Sequence, residues 1–268
     1  MSPSPHSPRK PQTLRVSVVD FLNARPLTWG LLRKPFPGVS VSRDLPSECA
    51  RKLASGEADV GLIPSIEYAR IPGLRLVRGL GIAASSEVRS VLLVSSVSRE
   101  KIGSVSLDPA SRTSAALTRI LLSRRYGLSP RYSEGDPRAD ARLVIGDPAL
   151  KTRWNGHVVL DLAAEWRAFS GHPFVFAFWA VREEASRPEV AELLRRSYEQ
   201  ANLEFSRLVE EESAESGLSP AVIEDYLRHS LHFELDPGDL AGLETFFRLA
   251  AEEGLIAAPR RLEYAPEA

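Results

Sequence analysis

Three short polar segments carry the side chains best suited to holding or transforming a small molecule. They are Phe21-Leu22-Asn23-Ala24-Arg25-Pro26, Ser111-Arg112-Thr113-Ser114 and Gly146-Asp147-Pro148. Arg112 is a planar, permanently charged partner for a carboxylate. The hydroxyls of Ser111, Thr113 and Ser114 surround it. Asn23 has no useful basicity, so its amide works by hydrogen bonding. Asp147 offers a carboxylate that accepts a hydrogen bond or moves a proton. It is equally suited to capping a helix that begins at Pro148. Ser65, after Pro64, marks another helix start, and Ser85, Ser86 and Ser90 surround a loop where a hydroxyl can meet a ligand.

The elements around these segments give them a common address. Each follows an apolar run that reads as a strand: Leu14–Val19, Ile102–Leu107 and Leu143–Ile145. Each leads into a helical pattern. In an open α/β sheet, ligands bind beyond the carboxyl ends of the strands. Helix starts there present free N–H groups and a partial positive charge, which favour an anion. Three such turns converging predict a site for a small, negatively charged molecule.

The remaining pattern alternates strands and helices. Short strands are expected at Val39–Val41, Val60–Ile63, Val91–Ser95, Val105–Leu107 and Val158–Leu160. Helices are expected after Pro26 and Pro46, over Thr113–Tyr126 up to Gly127, over Pro188–Glu212, from Ser219-Pro220, and over Pro237–Glu253 up to Gly254. Phe174–Val181 reads as a strand returning to the first unit, with Phe174, Phe176 and Phe178 on one face. Alternation of this kind argues for α/β with mainly parallel sheets. Two lobes are expected, residues 13–95 plus 174–268 and residues 96–173, with a disordered tail over residues 1–12. The chain then crosses between lobes twice and leaves a ligand cleft between them.

Composition removes several classes. Lysine plus arginine number 34 against 35 aspartate plus glutamate, a net charge of −1 that draws the whole molecule to neither nucleic acid nor an anionic membrane. Apolar residues make up 43% of the 268, as a soluble globular protein requires. Met1–Thr13 lacks the apolar stretch of a secretory signal, and no apolar run is long enough to span a bilayer. The single cysteine, Cys49, excludes an intramolecular disulfide. It sits in a helix stripe with no histidine partner and reads as packing. These features predict a cytoplasmic location. His229, His232 and Glu234 have a metal-like spacing without a further ligand, so no metal is expected.

Five motifs taken together resemble one family. They are FLNARPL at Phe21–Leu27, GEADVGLIPSIEYA at Gly56–Ala69, SRTS at Ser111–Ser114, IGDPAL at Ile145–Leu150 and GHPFVFAFWAVR at Gly171–Arg182. In this order and spacing, across Leu14 to Leu255, the chain resembles the chorismate dehydratase family of the futalosine route to menaquinone. The resemblance implies a two-lobed fold like that of type II periplasmic solute-binding proteins. It implies the conversion of chorismate to 3-[(1-carboxyvinyl)oxy]benzoate and water. No cofactor is implied, because dehydration alone makes the ring aromatic.

The resemblance also suggests roles. Asn23 and Asp147 are the expected catalytic residues. Ser65, Ser86, Ser90, Ser111, Arg112, Thr113, Ser114 and Gly146 are expected to bind the dianionic substrate. The base stays open between a side chain and the enolpyruvyl carboxylate of the substrate itself, which the scarcity of bases in these motifs favours. Competing readings are the related 1,4-dihydroxy-6-naphthoate synthase, which should carry a site histidine, and a transport solute-binding protein, which should carry a signal or lipoprotein cysteine. A ligand-sensing regulator should carry a DNA-binding segment. The oligomeric state has no signature in the sequence.

Overall fold

An apolar strand that is covered on both faces needs a near-continuous run of branched residues. β1 (Leu14–Val19) has such a run, with Val16, Val18 and Val19 all buried. The computed structural model describes residues 13–267, so the expected tail over residues 1–12 lies outside the described residues. After β1 a single 3₁₀ turn at Leu22–Ala24 leads into α1 (Arg25–Arg33), whose first turn holds Pro26. There follow β2 (Val39–Asp44), α2 (Pro46–Ser55), β3 (Val60–Pro64), α3 (Ser65–Arg70) and β4 (Leu74–Ala84). Gly56 ends α2 in the left-handed conformation, φ 75°, that glycine adopts without penalty.

The middle of the chain forms β5 (Val91–Ser95), β6 (Ser104–Leu107), α4 (Arg112–Ile120), β7 (Arg131–Glu134), β8 (Ala141–Ile145), α5 (Asp147–Lys151), β9 (Val158–Asp161) and α6 (Leu162–Ser170). The last part forms β10 (Phe174–Arg182), α7 (Pro188–Leu203), α8 (Phe205–Ser216), α9 (Pro220–Asp225), β11 (His232–Glu234) and α10 (Pro237–Glu252). A π-helical turn extends α4 to Arg125, and another extends α9 to Ser230.

These strands make two sheets. The first has the order β11-β4-β10-β3-β1-β2 and the second β7-β6-β8-β5-β9. β10 therefore returns to the first sheet, as its apolar run predicts. Both sheets are mixed rather than mainly parallel. β10 runs antiparallel to β3 and β4, and β5 runs antiparallel to β8 and β9. The expected lobe boundary after residue 95 is also corrected. Val91–Ser95 pairs with β8 and β9, so the chain leaves the first sheet at Ala84 and has entered the second by Val91.

Two further expectations change. The long helix over Pro188–Glu212 is two helices that meet at Glu204, where φ −106° and ψ 23° leave the helical region. The Glu204 carboxylate accepts the Trp29 indole N–H at 2.8 Å, which ties the break to α1. Strict alternation along β10 also fails, because the pairing with β4 shifts between Val175 and Ala177 and again between Phe178 and Ala180. Phe178 meets Tyr68 edge-on in the core, whereas Phe176 lies at the shift and faces the cleft.

Candidate active site

Antiparallel neighbours bring opposite strand ends together. Val91 at the start of β5 pairs with Ile145 at the end of β8, and Ala177 on β10 pairs with Pro64 at the end of β3. These ends, with those of β1 and α4, enclose a cavity of about 430 Å³. The cavity draws its walls from both sheets, as the three polar turns predict.

The lining includes Asn23, Ser90, Ser111, Thr113, Ser114, Gly146 and Asp147. The buried amide oxygen of Asn23 has no hydrogen-bond partner within the protein. An unpaired buried acceptor costs about 1–3 kcal/mol, so this oxygen is suited to accept a hydrogen bond from a ligand or a water in the cavity. The Ser111 hydroxyl donates to Ser114 Oγ at 2.7 Å, and Thr113 Oγ1 accepts the Ile66 N–H at 3.2 Å. Ser114 and Thr113 thereby keep their own hydroxyl protons for a ligand. Ser90 Oγ lies 2.7 Å from the Tyr226 hydroxyl. Gly146 has φ 67° and ψ −144°, a region open essentially to glycine alone. Its N–H donates to the Ser90 carbonyl and ties the two cavity turns together. Asp147 is the first residue of α5 and pairs with Lys151 at 3.3 Å; its side chain caps no helix.

Three expected residues lie elsewhere. Arg112 turns from the cavity and pairs with Glu67 at 3.1 Å, with its side chain nearly half exposed. Ser65 is fully buried and donates to the Val175 carbonyl at 2.6 Å, so it joins α3 to β10. Ser86 is exposed on the loop between the sheets. For Arg112 and Ser65 the reason is shared: a residue at a helix start faces the cavity or the helix's flank according to the angle at which the strand delivers it. His232, from the metal-like spacing, instead hydrogen-bonds the buried Asp239 carboxylate.

Residues 14–252 match the menaquinone biosynthesis family. The chain belongs to that family. A chorismate dehydratase of Thermus thermophilus is 30% identical to this member over 247 residues, covering 83% of this chain and 89% of the relative. A chorismate dehydratase of Campylobacter jejuni is 32% identical over 174 residues, covering 62% and 67%. The periplasmic aliphatic sulphonate binding protein of Escherichia coli superposes with a TM-score of 0.68 at 17% identity, over 97% of this chain and 94% of that one. The fold is thus two-lobed and periplasmic-binding-protein-like.

In this member of the menaquinone biosynthesis family the charged part of the cavity has its own architecture. Arg25, only 5% exposed, lies two residues after Asn23 and lines the cavity with Asp20, Glu212 and Glu215. Its Nη1 bonds Asp20 Oδ1 at 2.5 Å, and its Nε lies 2.6 Å from Glu212 Oε1 without the alignment of a hydrogen bond. Burial pushes the Glu212 carboxyl above its ordinary range, Arg25 pulling it back and Glu215 and Asp20 adding to the rise. Burial likewise raises the Tyr226 phenol, so it stays a neutral hydrogen-bonding group at any ordinary pH. Arg25 was visible in the motif, next to Pro26 where the helix is expected to open, but carried no expected role of its own. Glu212 and Tyr226 come from distant helices and have no local signal.

Proposed function

We propose that this chain dehydrates chorismate to 3-[(1-carboxyvinyl)oxy]benzoate. The observation that carries the reading is the unpaired Asn23 amide beside buried Arg25, in a cavity rimmed by the Ser111, Thr113 and Ser114 hydroxyls. It stands in a member of the menaquinone biosynthesis family whose relatives are chorismate dehydratases. A buried dianion needs donors at both ends or it will not leave water. In this reading the first turn of α4, with its free N–H groups and hydroxyls, receives one carboxylate. Asn23 and Arg25 orient the other end. Asp147 and Ser90 flank the ring.

The ring loses the hydrogen on the carbon bearing the ether and the hydroxyl on the neighbouring carbon. Two bonds break, water forms, and the ring becomes aromatic. Asn23 is no base; in this reading the enolpyruvyl carboxylate of the substrate takes the ring proton while the protein fixes its position. Holding reacting groups in contact replaces a collision with an intramolecular step. The same reading places the enzyme in the cytoplasm, which fractionation of cells producing the tagged protein tests.

The deciding experiment is incubation with chorismate and detection of the carboxyvinyloxy-benzoate itself by chromatography and mass spectrometry. Loss of chorismate alone is not a readout, because it decomposes without enzyme. Chorismate that decays at the blank rate with no such product removes the reading.

A further inference from the structure

Dehydration sends a hydroxide from the ring, and hydroxide leaves well only when a proton meets it. No histidine lines the cavity among the described residues. Arg25 instead gathers three carboxylates. Asp20 Oδ1 lies 2.5 Å from its Nη1, Glu212 Oε1 2.6 Å from its Nε and Glu215 Oε2 3.7 Å from its Nη2. One positive charge cannot balance three negative ones, so the carboxylate most shut off from water is the one least able to stay charged.

The three differ sharply in access to water. The side chains of Asp20 and Glu215 are 37% and 67% exposed, against 8% for Glu212. Arg43 approaches Asp20 alone, at 3.5 Å, and across the cavity Asp147 is paired with Lys151. Of the three, Glu212 is therefore the one to take up a proton when further negative charge arrives, in line with the direction in which burial moves its carboxyl. A dianion entering the cavity brings two further negative charges and strengthens the preference. The unpaired Asn23 oxygen marks the same cavity, near Arg25 in the chain, as built for a ligand.

We propose that Glu212 is the acid of this site: it holds a proton when the dianion is bound and delivers it to the departing hydroxyl. The Glu212 O–H bond breaks as the carbon–oxygen bond breaks with its electron pair, and water forms. The ring proton goes to the enolpyruvyl carboxylate and then to solvent, from which Glu212 is reprotonated. The proposal rests on the dehydratase reading and names the proton source which that reading lacks.

Glu212→Gln keeps the length of the side chain and an oxygen facing Arg25 but has no acidic proton. Its kcat should fall by about 100-fold or more, the ordinary range for a lost general acid, while KM changes by only a few-fold. Wild-type kcat should fall as pH rises through the raised Glu212 value, and that limb should be missing in E212Q. Calorimetry of product binding in buffers of different ionisation enthalpy should show proton uptake by wild type and none by E212Q. Equal kcat and equal pH profiles in an active wild type and in E212Q overturn the proposal and leave the dehydratase reading intact. If E212Q fails to fold, the calorimetry of wild type decides, and absence of proton uptake overturns the proposal. A wild type that makes no product removes both.

Discussion

Asn23 and Arg112 illustrate how much a single facing direction decides. Asn23 has its amide oxygen shielded and unpaired in the cavity. Asn23→Asp places a negative charge where the proposed reading seats the dianion and removes the N–H donor. Chorismate affinity or turnover should fall sharply while the melting temperature stays near wild type, because Asp serves a turn nearly as well as Asn. Unchanged turnover would take Asn23 out of the site. Arg112 is the opposite case. Its guanidinium is half exposed and its partner is Glu67, outside the lining. Arg112→Ala should leave KM within a few-fold of wild type and cost about 1–3 kcal/mol of stability, because the buried Glu67 carboxylate loses one of its two charged partners and keeps Arg70 at 2.8 Å. A large rise in KM would show that Arg112 swings to the substrate on binding.

At the level of elements, α1, which begins at Arg25, packs against α7 at very close range. A Cβ on Gly30 of α1 would stand 2.6 Å from Ser197 Cα on α7, and the Ser197 hydroxyl donates to the Leu27 carbonyl at 2.9 Å. Gly30→Ala should gain about 1 kcal/mol of helix propensity. It should lose more by forcing apart two backbones, since overpacking costs about 1–3 kcal/mol. A net fall in melting temperature is expected, and a rise would show that α7 moves aside freely. The sequence announced β1, β3, β8 and β10 because each is a local apolar run. It hid β4, whose Gly79 and Gly81 break the pattern for a reason that lies elsewhere in the chain. Gly81 faces the Ala177 carbonyl of β10 so closely that a Cβ would lie 2.8 Å from it. The site divides in the same way. Asn23, Ser111 and Gly146 were legible as strand-end turns, whereas Glu212 and Tyr226 face the cavity only because of how α8 and the turn after α9 pack.

The molecule as a whole carries a record of its assembly in the placing of β10. That strand sits between β3 and β4, so the first sheet is two unjoined pieces until residue 182 is available. The second sheet, β5 to β9, is drawn from the unbroken stretch 91–161 and closes without waiting for anything later. Contacts that span more chain are slower to form. A ribosome extending this protein from its amino end therefore releases the later half of the cleft in finished form while the earlier half is still open. Pulse-labelled hydrogen exchange during refolding should find the amides of β5 and β8 protected before those of β3 and β4 that face β10. Simultaneous protection would mean that the two sheets assemble as one unit. If the order holds, the Asn23 and Arg25 wall is the last part of the cavity to acquire its shape, although it is among the first to be synthesised.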